Sequence, residues 1–561
     1  MSGTPLPSAF LRAPPFPGAK PVTLAYRRAH ATPPTREEAD RLIALLRTAR
    51  VGGSFWGGQP AIAKGAIIAC PKDAQSAQAM IAHARAMPGS LIFWAIDRAA
   101  ARQLPALPAP LVVGAFDPWH MADGAAALWA DDADERLTIA HLAGTPTLAF
   151  PDRKEPPLDT AVTQAALAGI GYVDPFTGAQ AHAEGIIALL SHWRALIDAN
   201  RPIGGAAGMA FWKRETVAPL LWGGGDPLAY LSSVRELDAL PPNSAVAVWK
   251  SKTPPDLLSA IEDRTSNGGP PLHEVEDGFI RSIGLGADCV PPLSITVDPV
   301  GVHFDPARPS RLEQILNEAD FPPDLLARAA QLRALIVSTG LSKYGVGSTQ
   351  EETPERPGGG RRIVLVTGQV EDDRSVLAAR GAVTGNLDLL RRARAIEPGA
   401  FLIYRPHPDV DAGHRIGHIP DAMALDLADA IDRGTPISTL LDRVDGIHVL
   451  SSLAGFEALL RGRDVTTHGV PFYAGWGLTR DLGDVPMRRT AKLDVDQLVA
   501  GVLLSYPRYL DPVTHLPCTP EILVHRLAAG IKKQNRLIVP LRRLQGRMNK
   551  WRKRAGSVEE V

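Results

Sequence analysis

The sequence predicts an α/β protein built on parallel sheets, and three observations carry that prediction. Short apolar runs alternate along the chain with longer stretches of helical character. One such strand–helix pattern occurs twice. A Pro- and Gly-rich break, "EETPERPGGG" at residues 351–360, separates two of the alternating regions. Alternating strand and helix predict parallel sheets with crossover helices. At 561 residues the chain is too long for one average core, so two to four folding units are expected.

Taken in chain order, residues 1–21 hold no apolar run long enough for a signal peptide, and no segment offers about 18 continuous apolar residues. "SAVAVW" (244–249), "RIVLVTG" (362–368), "AFLIYRPHP" (400–408) and "GIHVLSS" (446–452) are expected as buried strands. "NLDLLRRARAIEPG" and "GFEALLRGR" are expected as the helices between them. The chain closes on a stretch, Arg526 to Arg554, with eleven Lys and Arg and no acid. Apolar residues from Leu537 to Trp551 are interleaved there, as in a helix lying on an anionic membrane surface or one packed on the domain.

The repeat links the two ends of the chain. "GYVDPFTGAQAHAEGIIALLSHWR" from Gly171 and "RYLDPVTHLPCTPEILVHRL" from Arg508 share Tyr-x-Asp-Pro-x-Thr followed by a helical stretch. Ala84–Arg98 parallels Ala393–Asp409, and Leu137–Phe150 parallels Phe456–Gly469. The copies differ in their polar residues. The later has His407-Pro408 and Glu457, where the earlier has Ile96-Asp97 and an apolar residue near Ile139. The expected organisation is a degenerate module over 20–204, a first Rossmann-like domain over 205–350, a second over 361–525, and the basic tail over 526–561.

Composition and motifs exclude several functions. Formal net charge is zero, so nothing global favours nucleic acid. Three scattered cysteines, Cys70, Cys289 and Cys518, rule out a disulfide scaffold and suit a reducing compartment. The P-loop, the Rossmann G-x-G-x-x-G and the G-x-S-x-G elbow are all missing.

Candidate chemistry sits in the later copy. "HEVEDGFIRSIGLG" (273–286) holds Glu274, Glu276, Asp277 and Arg281. In "VTGQVEDDRS" (366–375), Glu371, Asp372 and Asp373 follow a strand end, where open α/β sheets bind ligands. These acids fit a nucleophile, a general base or a metal site, and equally a helix start decorated with acids. In "IYRPHPDV", Pro406 and Pro408 hold His407 in stiff non-helical backbone beside Arg405, suited to a phosphate or to acid catalysis, or to a plain strand-end turn. In "LSSLAGFEALLRG", Ser451, Ser452 and Glu457 open a helix that could take a phosphate or could simply be capped. "GVPFYAGWGLT" (469–479) fits a pocket wall or a packed loop. Together they fit nucleotide-sugar chemistry between two Rossmann-like halves.

The blocks "VEDGFIRSIGLGADCVPPLSITVD", "LSKY", "GQVEDDRS", "YRPHPDV", "SSLAGFEALLRG", "PFYAGWGL" and "YPRYLDPVTHLPC" occur in this order. The set resembles the capsule polysaccharide β-Kdo transferases of the KpsC/LipB type, over residues 205–525. The resemblance implies a GT-B-like pair of Rossmann-type domains and a retaining transfer of Kdo from CMP-Kdo. The acceptor would be a Kdo oligomer on a phosphatidylglycerol-type lipid that primes capsule synthesis and export. It implies Asp373 as covalent nucleophile, with Asp372 adjacent, and His407 against the departing phosphate. By the same resemblance Ser451, Ser452 and Glu457 hold the nucleotide, Arg281, Lys343 and Arg405 supply cations, and Glu276 and Asp277 line the cleft. It implies neither metal nor cofactor beyond the donor. With no signal peptide or spanning run the chain is expected to be cytoplasmic, and the basic tail offers contact with the inner membrane face. The earlier module lacks these blocks and is expected to be catalytically dead, serving as scaffold or as docking face for a partner Kdo transferase or the export machinery. Two alternatives stand beside this: an inactive scaffold of the capsule assembly, and a transferase of a different CMP-sugar.

Overall fold

The computed structural model describes residues 3–28, 35–85, 89–150, 158–280, 290–342, 345–346 and 359–530. Arg281, Lys343, the break at 351–358 and the tail beyond residue 530 lie outside the described residues. The chain divides into two compact units. The first is Met1–Ile203 with Leu221–Leu228 and Val513–Leu516, and the second takes the remainder.

In the first unit, five parallel strands run in the spatial order Leu111–Val113, Leu91–Ala95, Ala66–Cys70, Ala125–Asp131, Thr147–Phe150. The central strand, "AIIAC", is buried along its whole length because helices and loops cover both faces of the sheet. A four-stranded antiparallel sheet with the helix Ala183–Asn200 completes the unit.

The second unit holds a two-stranded pair, Leu341–Ser342 with Gly345–Val346, and two large sheets that form a GT-B-like pair of α/β domains. The six-stranded sheet is parallel throughout: Ala430–Ile431, Phe401–Arg405, Ile363–Thr367, Gly446–Val449, Asp464–Thr467, Arg480–Asp481. The seven-stranded sheet is mixed, which corrects the all-parallel expectation. Ala245–Val248 and Leu272–Asp277 pair in parallel, but Ser294–Asp298 then pairs antiparallel to both Leu272–Asp277 and Arg508–Leu510. The strand Arg508–Leu510 and its neighbour Pro517–Cys518 thus belong to the first sheet, although they follow the second in the chain. A domain boundary drawn at 361–525 cuts across that sheet. Strand–helix alternation reports chain order, whereas sheet membership is decided by pairing between distant segments.

The repeat has a structural counterpart. The five strands of the first unit and the first five of the six-stranded sheet share one spatial order: third, second, first, fourth, fifth. Leu91–Ala95 and Phe401–Arg405 are each the second strand, followed by a short helix capped by Asp97 in one copy and His407 in the other. Asp134 and Ser452 cap the equivalent fourth helices. The Tyr-x-Asp-Pro-x-Thr segments form antiparallel strand pairs followed by a helix. In each, the tyrosine hydroxyl donates 2.8 Å to the carbonyl six residues earlier, Tyr172 to Ala166 and Tyr509 to Leu503.

Candidate active site

A cleft of about 660 Å³ opens in the second unit beyond the carboxyl ends of the strands. One wall comes from Leu272–Asp277 and its continuation, the other from the six-stranded sheet. Glu274 and Glu276 lie two residues apart on the strand and so share one face. Gly278 follows because a Cβ there would fall 2.2 Å from Ser294 Oγ, and its N–H donates to the Ser294 carbonyl at 3.0 Å.

Each acid of this wall has a cationic neighbour. Lys250 Nζ lies 3.3 Å from Glu274, and Lys213 Nζ lies 3.4 Å from Asp277 and over the Trp249 ring. Arg374, from the opposite sheet, reaches Glu274 at 3.2 Å and Glu276 at 3.4 Å. Burial raises the Glu276 carboxyl, and repulsion from Asp277 and Glu274 adds to it, while Arg374 and Lys213 counter. The net result is a carboxyl pushed up to about 8. The surroundings thus favour the protonated form of Glu276, while its side chain keeps 18% of its surface exposed.

The opposite wall is made of strand ends and helix starts. Thr367 ends its strand, and Gly368 follows because a Cβ would meet Tyr404 Oη at 2.7 Å. Gln369 ties this strand to the next: its Nε2 donates to Ser451 Oγ at 3.2 Å, and its Oε1 accepts from Ser451 N at 2.8 Å. Asp373 caps the helix Arg374–Ala379, its Oδ1 accepting from both N (3.0 Å) and Oγ (2.7 Å) of Ser375. His407 is the residue before the helix Pro408–Asp411, and its Nδ1 accepts from Asp409 N at 3.2 Å. Ser452 caps Leu453–Leu460 through Ala454 N, and Glu457 is buried in that helix. The floor is aromatic, with the Phe279 centroid 4.7 Å from Phe472 and 5.0 Å from His303.

Of the residues singled out from sequence, Glu276, Asp277, Asp373, Arg405, His407, Ser451, Ser452 and Glu457 all line this cleft. Asp372 does not; it pairs with Arg415, a lining residue, at 3.1 Å. Arg405 is committed to Asp432 at 2.7 Å, and burial draws it below the usual guanidinium range. Glu371 receives Asn386 N at 2.7 Å and so anchors the next helix. Sequence reasoning missed Lys213, Arg374, Thr367, Gln369 and the aromatic floor. Thr367 had a signal, since it ends the "RIVLVTG" strand at its ligand-binding edge. Lys213 had none, because it lies 64 residues before its partner Asp277. Among the described residues no group of three or more His, Cys, Asp or Glu is arranged to hold a metal ion. No described helix is long and apolar enough to cross a membrane.

Comparison with known proteins bears on this site. The family model described as capsule polysaccharide biosynthesis protein matches residues 244–509, a span that carries almost the whole cleft. A solved β-Kdo 2,4 transferase, KpsC of Thermosulfurimonas dismutans, is 33% identical over 54% of this chain and 91% of its own, with a TM-score of 0.47. The chain belongs to the capsule polysaccharide biosynthesis family. The β-Kdo 2,7 transferase KpsC of the same organism is 31% identical over 58% of this chain and 98% of its own, with a TM-score of 0.46. The capsule polysaccharide modification protein LipA of Neisseria meningitidis serogroup B is 39% identical over 352 residues, 62% of this chain and 49% of that protein. The lipopolysaccharide-processing protein LpsZ of Rhizobium meliloti is 44% identical over 256 residues, 45% of this chain and 57% of that protein. The chain thus spans about half the length of the curated relatives it matches.

Proposed function

We propose that this chain transfers Kdo from CMP-Kdo to a Kdo-terminated glycolipid, with retention. One observation carries the reading: Glu276 and Asp277 face the strand-end wall of His407, Ser451 and Ser452 across a single cleft. Retention needs a carboxylate that attacks the anomeric carbon and is then displaced. We assign that role to Asp277 rather than to Asp373, which the family resemblance implies. Asp277 stands at a strand end with Lys213 as counter-charge at 3.4 Å, and Asp373 Oδ1 accepts two hydrogen bonds as a helix cap. Glu276 gives its proton as the CMP phosphate departs and takes one from the acceptor hydroxyl in the second step, so protons balance. His407 and the start of the Leu453–Leu460 helix face the leaving phosphate.

The first unit does not share this chemistry in our reading. In the common register, Ala95 stands where Arg405 does, Asp97 where His407 does, and Ile139 where Glu457 does, each of the last two five positions past its cap. Arg136 sits over the Trp94 ring at 4.7 Å and pairs with Asp134 at 2.6 Å. The protein then forms one linkage type, and a separate polypeptide forms any alternating one. The basic tail holds it at the membrane surface.

The test is incubation of the full chain with CMP-Kdo, generated in situ, and a synthetic Kdo-terminated lipid, read by mass spectrometry. A product heavier by one Kdo is expected, abolished by Asp277→Asn and retained by Asp373→Asn, which keeps a capping oxygen. Loss with Asp373→Asn and survival with Asp277→Asn would return the nucleophile to Asp373. CMP binding without Kdo transfer would point to another CMP-sugar.

A further inference from the structure

Thr367 is the last residue of the central strand of the six-stranded sheet, and only 5% of it is exposed. Its Oγ1 is buried and has no hydrogen-bond partner, yet the residue lines the cleft. Buried hydroxyls are almost always paired, so an unpaired one facing a cleft points to a ligand. The location fits. Strand order reverses at this strand, with Phe401–Arg405 on one side and Gly446–Val449 on the other, and ligands of open α/β sheets bind at such a switch point. Ser451, just past the neighbouring strand, accepts Gln369 Nε2 at its Oγ, which leaves its own proton to point elsewhere. Leu453 and Ala454, the first turn of the following helix, line the same cleft.

We infer that Thr367 is a donor-binding residue whose hydroxyl donates to a phosphate oxygen of the nucleotide. This deepens the proposed reading and rests on it. An anion is the chemistry that matches, since a hydroxyl, a second hydroxyl and a helix start converge there. The first unit agrees. Ile67 pairs with Leu91 as Ile363 pairs with Phe401, so Pro71 falls where Thr367 stands, and proline carries neither a hydroxyl nor an N–H.

The experiment is calorimetric titration of the full chain with CMP and with cytidine, for wild type, Thr367→Val and Thr367→Ser. Valine keeps the shape and removes the hydroxyl. We expect it to weaken CMP about tenfold and leave cytidine nearly unchanged, with serine close to wild type. Thermal melting without ligand is expected to hold steady or rise for Thr367→Val, because the lost hydroxyl has no partner in the folded chain. A lower melting temperature for Thr367→Val would mean a structural partner and would overturn the inference. So would unchanged CMP affinity, or an equal loss for CMP and cytidine. If wild type bound no CMP, the CMP-sugar reading itself would fall, and this inference with it.

Discussion

Glu276 concentrates the chemistry of the cleft in one ionisable group. Its carboxyl is held up to about 8, against a reference of 4.5, by burial and by two acidic neighbours. Between those values the unfolded chain releases a proton that the folded chain keeps. The associated stability is therefore full below about pH 4.5 and is lost as pH rises through about 8. Glu276→Gln removes this dependence. Scanning calorimetry should find the variant melting roughly 2–4 °C above wild type at pH 8.5 and little different at pH 5. In the reaction, a proton donor of this kind makes transfer fall above about pH 8, and the glutamine variant should lose that limb together with most of the rate. Identical melting profiles for the two proteins across this range would remove the raised carboxyl from the account.

At the scale of elements, the helix Arg374–Ala379 performs two tasks with adjacent residues. Asp373 caps it, and Arg374 reaches from its first turn to Glu274 and Glu276 on the opposing strand. The Arg374 side chain is 43% exposed, so its ion pairs contribute little to stability. Their effect is positional: they hold the acid wall against the strand-end wall and temper the Glu276 charge. Arg374→Gln should therefore leave stability within about 1 kcal/mol while lowering kcat/KM on the order of 10–100-fold. The high-pH limb of the rate profile should also move to still higher pH, because the cation that favours ionised Glu276 is gone. A rate loss with no movement of the limb would mean that Arg374 serves packing alone. "EDDRS" announced the cluster in sequence, but not its division of labour. Asp373 turns to its own helix, Asp372 to Arg415, and Arg374 to a strand about 100 residues earlier.

Across the whole molecule, one strand order is used twice with different residues at its strand ends: Asp97 stands where His407 does, and Ile139 where Glu457 does. In the first unit, Arg136 stacks on Trp94 and pairs with Asp134, and both partners are largely buried. Arg136→Ala should cost about 3 kcal/mol of that unit's stability, since it strands a buried carboxylate. Below the melting transition, transfer by the folded protein should stay within about twofold of wild type. Stability is read by denaturant unfolding and transfer by product mass. A matching collapse of transfer under conditions where the protein remains folded would give the first unit a part in the reaction.

Local order along the chain was enough for the α/β class, the central strands, the repeat and the cluster of cleft residues. Those features depend on periodicity, strand ends and helix starts, all written within a few positions of one another. Three matters were decided only by tertiary structure. Arg508–Leu510 closes the first sheet from the far end of the chain. Lys213 and Arg374 arrive at the acid wall from 64 and about 100 residues away. The Glu276 carboxyl is pushed up because burial and two neighbouring carboxylates surround it. Pairing, counter-charge and desolvation are properties of distance in space. Separation along the chain carries no trace of them.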